Sequence, residues 1–215
     1  MSSSAPIAPF HPPTAEGIAA VAAVLRAGRL AIIPTDTVYG LAARADSPGA
    51  MTRLYAAKAR DPAKPVALLV DGVEAVRAAG ARLSPAALAL ADAFWPGALT
   101  LVLPAATPGL WEGFRVPDHE AARALIRAVA APLAVSSANI SNHPPACDAA
   151  TAWQALAPHP EAVLDAGPVP GARPSTVVRV ETDRLVVLRQ GPISPARLAA
   201  TARLPAVLDG AVRSC

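Results

Sequence analysis

Leu30-Ala31-Ile32-Ile33 runs directly into Pro34-Thr35-Asp36-Thr37-Val38-Tyr39-Gly40-Leu41. Four apolar residues ending at a proline read as a buried strand that stops there, since proline brings no ladder donor and restrains the residue before it. Two hydroxyls, a carboxylate, a phenol and a flexible glycine follow at once. Open α/β sheets place their ligands at strand ends of this kind. Taken alone, the same stretch also reads as an ordinary polar turn.

The pattern around it alternates helix and strand. Thr14 caps a helix over about Ala15 to Ala27, with Ile18, Val21, Val24 and Leu25 on one face and Gly28 as its stop. Ser47 caps a second, through Tyr55 to Ala59, which leads into a basic loop carrying Lys58, Arg60 and Lys64. Strands are expected over Val66 to Val70, Leu99 to Leu103, Leu133 to Val135 and Ala162 to Leu164. Helices are expected over Val73 to Ala79, Ser84-Pro85 to Phe94, Glu120 to Ala130 with Asp118 as cap, Ala149 to Leu156, and Ser194-Pro195 to Leu204. Ala105 to Gly113, Ser141 to Pro145 and Gly167 to Pro174 read as loops or turns. Val177 to Val180 and Leu185 to Leu188 form a hairpin across Glu181 to Arg184. Crossovers give parallel pairs and hairpins antiparallel ones, so the expected fold is α/β: a twisted mixed parallel/antiparallel sheet with flanking helices.

The polar clusters fall where strands end: Thr35 to Thr37, Ser136 to Asn139, Ser175-Thr176 and Arg189. If those ends share a side, they line one cleft with Lys58 and Arg60 at its rim. Arg115, between Phe114 and Val116, needs a carboxylate partner, from the protein or from a ligand. Of 19 basic residues only Lys58 and Lys64 are lysines. A compact ammonium suits a polyphosphate oxygen, whereas arginine suits planar partners.

Composition narrows the function classes. With 53% hydrophobic and 4% aromatic residues, the core must be mostly Ala, Val and Leu. The 215 residues suffice for a substantial core, expected as a single domain over 14–206 with a loose arm at 1–13 and a tail at 207–215. A net charge of +3 permits a phosphate ligand or a nucleic acid and requires neither. No apolar stretch reaches membrane-spanning length and the N-terminus lacks signal-peptide order, so a cytoplasmic location is expected. Cys147 and Cys215 have no neighbour at metal-ligand spacing, and no metal ligands are assigned. Nucleophile elbow, Walker A loop and dinucleotide fingerprint are all missing. Chemistry in such a cleft rests on positioning and charge stabilisation.

These motifs resemble the YrdC-like threonylcarbamoyl-AMP synthases. The resemblance is carried by Pro34 to Leu41, Lys58 with Arg60, Trp95 to Leu103, Arg115 to His119, Ser137 with Asn139, Ser175 to Val178, and Leu188 to Gly191, in family order. It implies a large basic cleft and a short stand-alone enzyme of the nucleotidyltransferase type. The implied reaction condenses L-threonine, bicarbonate and ATP to threonylcarbamoyl-AMP and pyrophosphate, with magnesium accompanying ATP. It implies downstream transfer proteins that modify the adenosine beside the anticodon, and it is compatible with tRNA contact. By resemblance, Lys58 and Arg60 hold the ATP phosphates and are the catalytic residues. Ser137, Asn139 and Arg189 hold the nucleotide, and Thr35, Arg115 and Ser175 bind threonine. The sequence departs from the family at Ala59 and Asp61, where it often reads Gly and Pro, at Ser136 for Pro, and at Arg179 for Asp. The alternative function is a non-catalytic RNA-binding module of the same fold.

Overall fold

The computed structural model describes residues 10–61, 64–139, 143, 145–156, 158, 160–169 and 173–210. In chain order its elements are β1 (Phe10–His11), α1 (Ala15–Arg26), β2 (Ala31–Ile33), β3 (Gly40–Arg44), α2 (Pro48–Ala57), β4 (Ala67–Leu69), α3 (Val73–Ala78), α4 (Pro85–Phe94), β5 (Leu99–Pro104), β6 (Trp111–Arg115), α5 (Glu120–Val129), β7 (Leu133–Ser137), α6 (Ala149–Gln154), β8 (Ala162–Leu164), β9 (Thr176–Val180), β10 (Leu185–Arg189), α7 (Pro195–Ala202) and β11 (Ala206–Leu208). The strands form one mixed sheet in the order β1-β8-β2-β3-β7-β4-β6-β5-β9-β10-β11. The sheet contains both parallel pairs, such as β5 with β9, and antiparallel ones, such as β5 with β6, as the sequence pattern predicts.

The two-residue period of the strands decides what each face meets. In the first half of the sheet, Ala31, Ile33, Ala42 and Leu133 pack under α1 and α5. Ile32, Leu41, Ala43 and Ala134 point the other way, beneath α2 and α6. The fully buried leucines and isoleucines among these contribute about 1.5–3 kcal/mol each. In the second half, Leu99, Leu101, Leu103, Phe114, Val178 and Val187 bury one face against α3, α4 and α7. The intervening residues Thr100, Val102, Gly113, Arg115, Val177 and Arg179 face the opposite side and line a cavity. Leu69 and Val135 belong both to that lining and to the apolar cluster under α1 and α5. The cavity therefore occupies the part of this face that those two helices leave uncovered.

Several expectations are corrected. Tyr39 and Gly40 do not make a turn: Gly40 opens β3, pairing with Ser137 of β7. A side chain at Gly40 would bring its Cβ within 2.4 Å of Val135 Cγ1, so the close approach of the two strands selects glycine. The segment read as a loop to Gly113 is already strand from Trp111, because β6 pairs antiparallel with β5 through Trp111 and Pro104. Asp118 does not cap α5. His119 holds that position without a side-chain bond, and the Asp118 amide donates to Asp36 Oδ1 at 3.0 Å. In the stretches expected as arm and tail, β1 pairs with β8 and β11 with β10. The remaining arm residues 1–9, tail residues 211–215 with Cys215, loop positions 62, 63 and 170–172, and turn positions 141, 142 and 144 lie outside the described residues. No helix among the described residues is long and apolar enough to cross a membrane.

Candidate functional site

The cavity has a volume of about 580 Å³, within the span of roughly 300–1,000 Å³ common to small-molecule sites. Its charged lining side chains, among the described residues, are Arg60, Arg115, Arg179 and Arg189. Thr35, Thr37, Thr100, Ser136, Ser137 and Ser175 supply hydroxyls. The expectation placed the polar groups at strand ends. The structure lays them across a sheet face as well, since alternate residues of β5, β6 and β9 contribute.

The turn between β2 and β3 is held by its own side chains. Thr35 Oγ1 donates to the Val38 carbonyl at 2.7 Å and accepts from the amides of Thr37 and Val38, each at 3.2 Å. The Thr35 and Thr37 hydroxyl oxygens lie 3.0 Å apart. Thr37 Oγ1 in turn accepts from Arg115 Nη1 at 2.9 Å. The result is a run of polar contacts from the guanidinium through two hydroxyls to a carbonyl.

Arg115 is 6% exposed. Its Nη2 meets Asp36 Oδ1 at 2.6 Å and its Nε donates to the Gly97 carbonyl at 2.9 Å. The sequence left its partner open between protein and ligand; the structure supplies Asp36. Burial draws the Arg115 pKa below its ordinary value, and the Asp36 charge opposes that shift. Close by, Thr100 Oγ1 and Ser175 Oγ lie 2.8 Å apart. Arg189 Nε donates to the Ser175 carbonyl at 3.0 Å and its Nη2 to Ser175 Oγ at 3.2 Å. A register shift in β10 between Val187 and Arg189 lets the consecutive Leu188 and Arg189 both face the cavity.

Lys58 and Asn139 do not line the cavity. Lys58 is 2% exposed, and its Nζ donates to the carbonyls of Ser137 and Asn139 at the end of β7. Burial, with the Arg60 charge adding to it, lowers the Lys58 pKa to about 8. Asn139 Nδ2 donates to the His143 carbonyl at 2.5 Å. Lys58 closes α2, and Ala59 after it is left-handed, with φ of 45°. The Arg60 amide bonds back to Tyr55 and the Ala59 amide to Ala56, each at 3.0 Å, which is the Schellman ending of a helix. This ending turns the chain so that Arg60 reaches the cavity. Arg60 is itself braced by the carbonyls of Lys64 at 3.0 Å and Pro65 at 2.9 Å.

Of the expected site residues, the structure thus gathers Thr35, Arg60, Arg115, Ser137, Ser175 and Arg189 around one cavity and sets Lys58 and Asn139 behind its wall. The sequence reading placed Thr37 in the cleft but missed Thr100 and Trp111 as lining residues. Thr100 was readable from its position out of phase with Leu99 and Leu101. Trp111 was hidden by the loop assignment to Ala105–Gly113. Arg179 entered only as a departure, yet its guanidinium carbon lies 5.6 Å from the Trp111 ring centroid inside the cavity.

The Sua5/YciO/YrdC family model, described as telomere recombination, matches residues 23–191. A Mycobacterium tuberculosis protein that carries the name threonylcarbamoyl-AMP synthase provisionally is 40% identical over 191 residues, covering 85% of this chain and 88% of its own. The Bacillus subtilis threonylcarbamoyl-AMP synthase is 35% identical over 192 residues, covering 85% of this chain and 56% of its own. The crystal structure of Pyrococcus abyssi Sua5 complexed with L-threonine superposes with a TM-score of 0.85 at 30% identity, over 94% of this chain and 62% of that one. This chain therefore spans less than two thirds of the longer proteins and most of the mycobacterial one. Motif order, sheet topology and similarity along nearly the whole chain agree: it belongs to the Sua5/YciO/YrdC family.

Proposed function

We propose that this chain is a threonylcarbamoyl-AMP synthase acting as a nucleotidyltransferase on ATP, L-threonine and bicarbonate. The observation that carries the reading is Arg115: a buried guanidinium, bonded to Thr37 and Asp36, in a cavity that Thr100 and Ser175 also line, in a fold shared with a protein crystallised with L-threonine. A guanidinium presents paired donors to a carboxylate, and small hydroxyls suit an amino acid's polar ends.

In this reading Thr35, Arg115 and Ser175 hold threonine, and Ser137, Asn139 and Arg189 hold the nucleotide. Arg60 and Lys58 take the phosphates, Lys58 by exchanging the carbonyls of Ser137 and Asn139 for phosphate oxygens. The threonine amine adds to bicarbonate with loss of water, giving a carbamate. A carbamate oxygen attacks the α-phosphate, the bond to the β-phosphate bridging oxygen breaks, and pyrophosphate leaves with the electron pair. The arginines offset the charge that builds on it. Among the described residues no group of three or more His, Cys, Asp or Glu could hold a metal. Asp36 and Glu181 are each bonded to an arginine of the lining, Arg115 and Arg179. Magnesium therefore fits this site as an ion carried on the triphosphate, where it neutralises phosphate charge. The adenylate would pass to transfer proteins that modify the adenosine beside the anticodon of tRNA, in the cytoplasm.

The rival reading, a non-catalytic RNA-binding module, is disfavoured by the lining. Single-stranded RNA binders offer successive aromatic rings to the bases, and Trp111 is the one ring among the described lining residues. Pyrophosphate release is the deciding assay, run with each substrate omitted in turn. Release that needs ATP, L-threonine and bicarbonate together is expected. Release indifferent to threonine, or none, contradicts the reading.

A further inference from the structure

We propose that the outer edge of β11 is where two copies of this chain join, β11 against β11, antiparallel about a two-fold axis at Val207. The proposal is independent of the reading of the cavity, which β11 does not line.

β11 is the last strand in the sheet order. It runs parallel to β10 on one side and, among the described residues, pairs with nothing on the other. The bonds to β10 decide which groups face outward. The Pro205 carbonyl accepts from the Leu185 amide at 2.8 Å, and the Asp209 amide donates to the Val187 carbonyl at 3.1 Å. The two polar groups of a strand residue point to the same side, and successive residues alternate. Pro205, Val207 and Asp209 therefore face β10, and the amides and carbonyls of Ala206 and Leu208 face the open edge. Pro205 leaves that edge unblocked, because its ring nitrogen lies on the β10 side. Residues 206–208 carry no charge, and their register with β10 has no bulge, so the usual guards of an edge strand are missing. Val207 is 44% exposed and Leu208 56%.

One register satisfies every outward group within the strand. A two-fold axis at Val207 sets Ala206 of each copy opposite Leu208 of the other, each pair exchanging both its N–H···O bonds. It sets Val207 opposite its own copy at the closer, non-hydrogen-bonded spacing, about 4.5 Å between Cα atoms, where each side chain covers the other. The flanking charges select a second copy in this direction. Arg203 and Asp209, both exposed, stand beyond opposite ends of β11. The antiparallel register brings Asp209 opposite Pro205 of the second copy and diagonal to its Arg203, a spacing that long side chains span. Symmetry makes the same contact at the other end. A parallel arrangement would set Asp209 against Asp209 and Arg203 against Arg203. The strand has 3 residues, so the seam is short and the association belongs to the weak, reversible class.

The test is sedimentation equilibrium of the full chain from about 1 to 500 µM, in a reducing buffer that keeps Cys147 and Cys215 from linking copies. A reversible monomer–dimer equilibrium is expected. Val207→Lys sets like charges across the axis and is expected to weaken it at least about 10-fold. Leu208→Pro removes an amide that faces the open edge and no bond to β10, and is expected to do the same. Asp209→Arg is expected to weaken the dimer about threefold, and Asp209→Arg combined with Arg203→Asp to restore it; this pair serves if Leu208→Pro does not fold. Hydrogen exchange at the Ala206 and Leu208 amides is expected to slow as concentration rises. A chain that is monomeric throughout, or a dimer that these variants leave unchanged, overturns the proposal. A double variant as weak as Asp209→Arg overturns the antiparallel register. A monomer whose two amides are protected at every concentration also overturns the proposal, assigning the edge to residues 211–215 of the same chain.

Discussion

Asp36 Oδ1 receives two donors at once: Arg115 Nη2 at 2.6 Å and the Asp118 amide at 3.0 Å. One carboxylate thereby ties the turn after β2 to the strand and loop 79 residues later in the chain. It fixes the guanidinium proposed to receive the threonine carboxylate.

Removing that carboxylate leaves a buried cation without its counter-charge. Asp36→Ala is expected to lower stability by about 3–5 kcal/mol, the usual cost of breaking a buried pair from one side. Asp36→Asn, which keeps an acceptor, should be milder in urea denaturation. In the proposed reaction it should raise the KM for threonine more than that for ATP. Equal effects on the two substrates would contradict a positioning role for Asp36.

Lys58 gives a pH dependence with a definite sign. Its pKa in the folded chain is lowered from 10.5 to about 8. Below pH 8 the ammonium is charged in folded and unfolded chains alike, and the cost of burying it is fully present. Between about pH 8 and 10.5 the unfolded chain binds the extra proton, so this group's contribution to stability rises with pH. ATP affinity should move the opposite way, weakening above pH 8 as the phosphate-binding charge is lost. Lys58→Met is expected to lose most synthesis, keep its fold by circular dichroism, and flatten both profiles. Calorimetric titration of ATP and urea unfolding across this pH range check it.

Ala59 sits at the left-handed position of the Schellman ending, with φ of 45°. An L side chain there costs about 1–2 kcal/mol, part of which glycine's looser unfolded chain gives back. Ala59→Gly is expected to raise the urea midpoint, worth about 0.5–1 kcal/mol, without changing turnover. A lower midpoint would contradict the geometry.

Gly40→Ala should be costly for the opposite reason. The new Cβ would stand 2.4 Å from Val135 Cγ1, and a stiff β-branched neighbour in a strand cannot easily move aside. We expect a loss of about 1–3 kcal/mol, together with weaker substrate binding, because Gly40 and Val135 both line the cavity.

How far the sequence reveals this site depends on the reach of the interaction. Strand endings, helix caps at Thr14, Ser47, Ser84 and Ser194, and the need of Arg115 for a carboxylate are local properties, readable from neighbours. That the carboxylate is Asp36 is a property of the β4–β6 and β3–β7 pairing, which no local pattern encodes. Trp111 was lost for a related reason. Gly109 before it signals a turn, and only pairing with Pro104 makes Trp111 a strand residue facing inward. Lys58 shows the limit from the other side. Its rarity marks it as chosen, but burial behind the wall and bonds to two carbonyls of the β7 end belong to the tertiary structure. Edge strands of two or three residues, β1 and β11, are too short to show a period.

The central claim is that one cavity joins threonine, bicarbonate and the α-phosphate of ATP. Incubating the full chain with ATP, L-threonine and isotopically labelled bicarbonate, then weighing the adenylate by mass spectrometry, tests it most directly. The account predicts threonylcarbamoyl-AMP that carries the bicarbonate label, formed only when threonine is present. ATP consumed without a labelled, threonine-containing adenylate would contradict it.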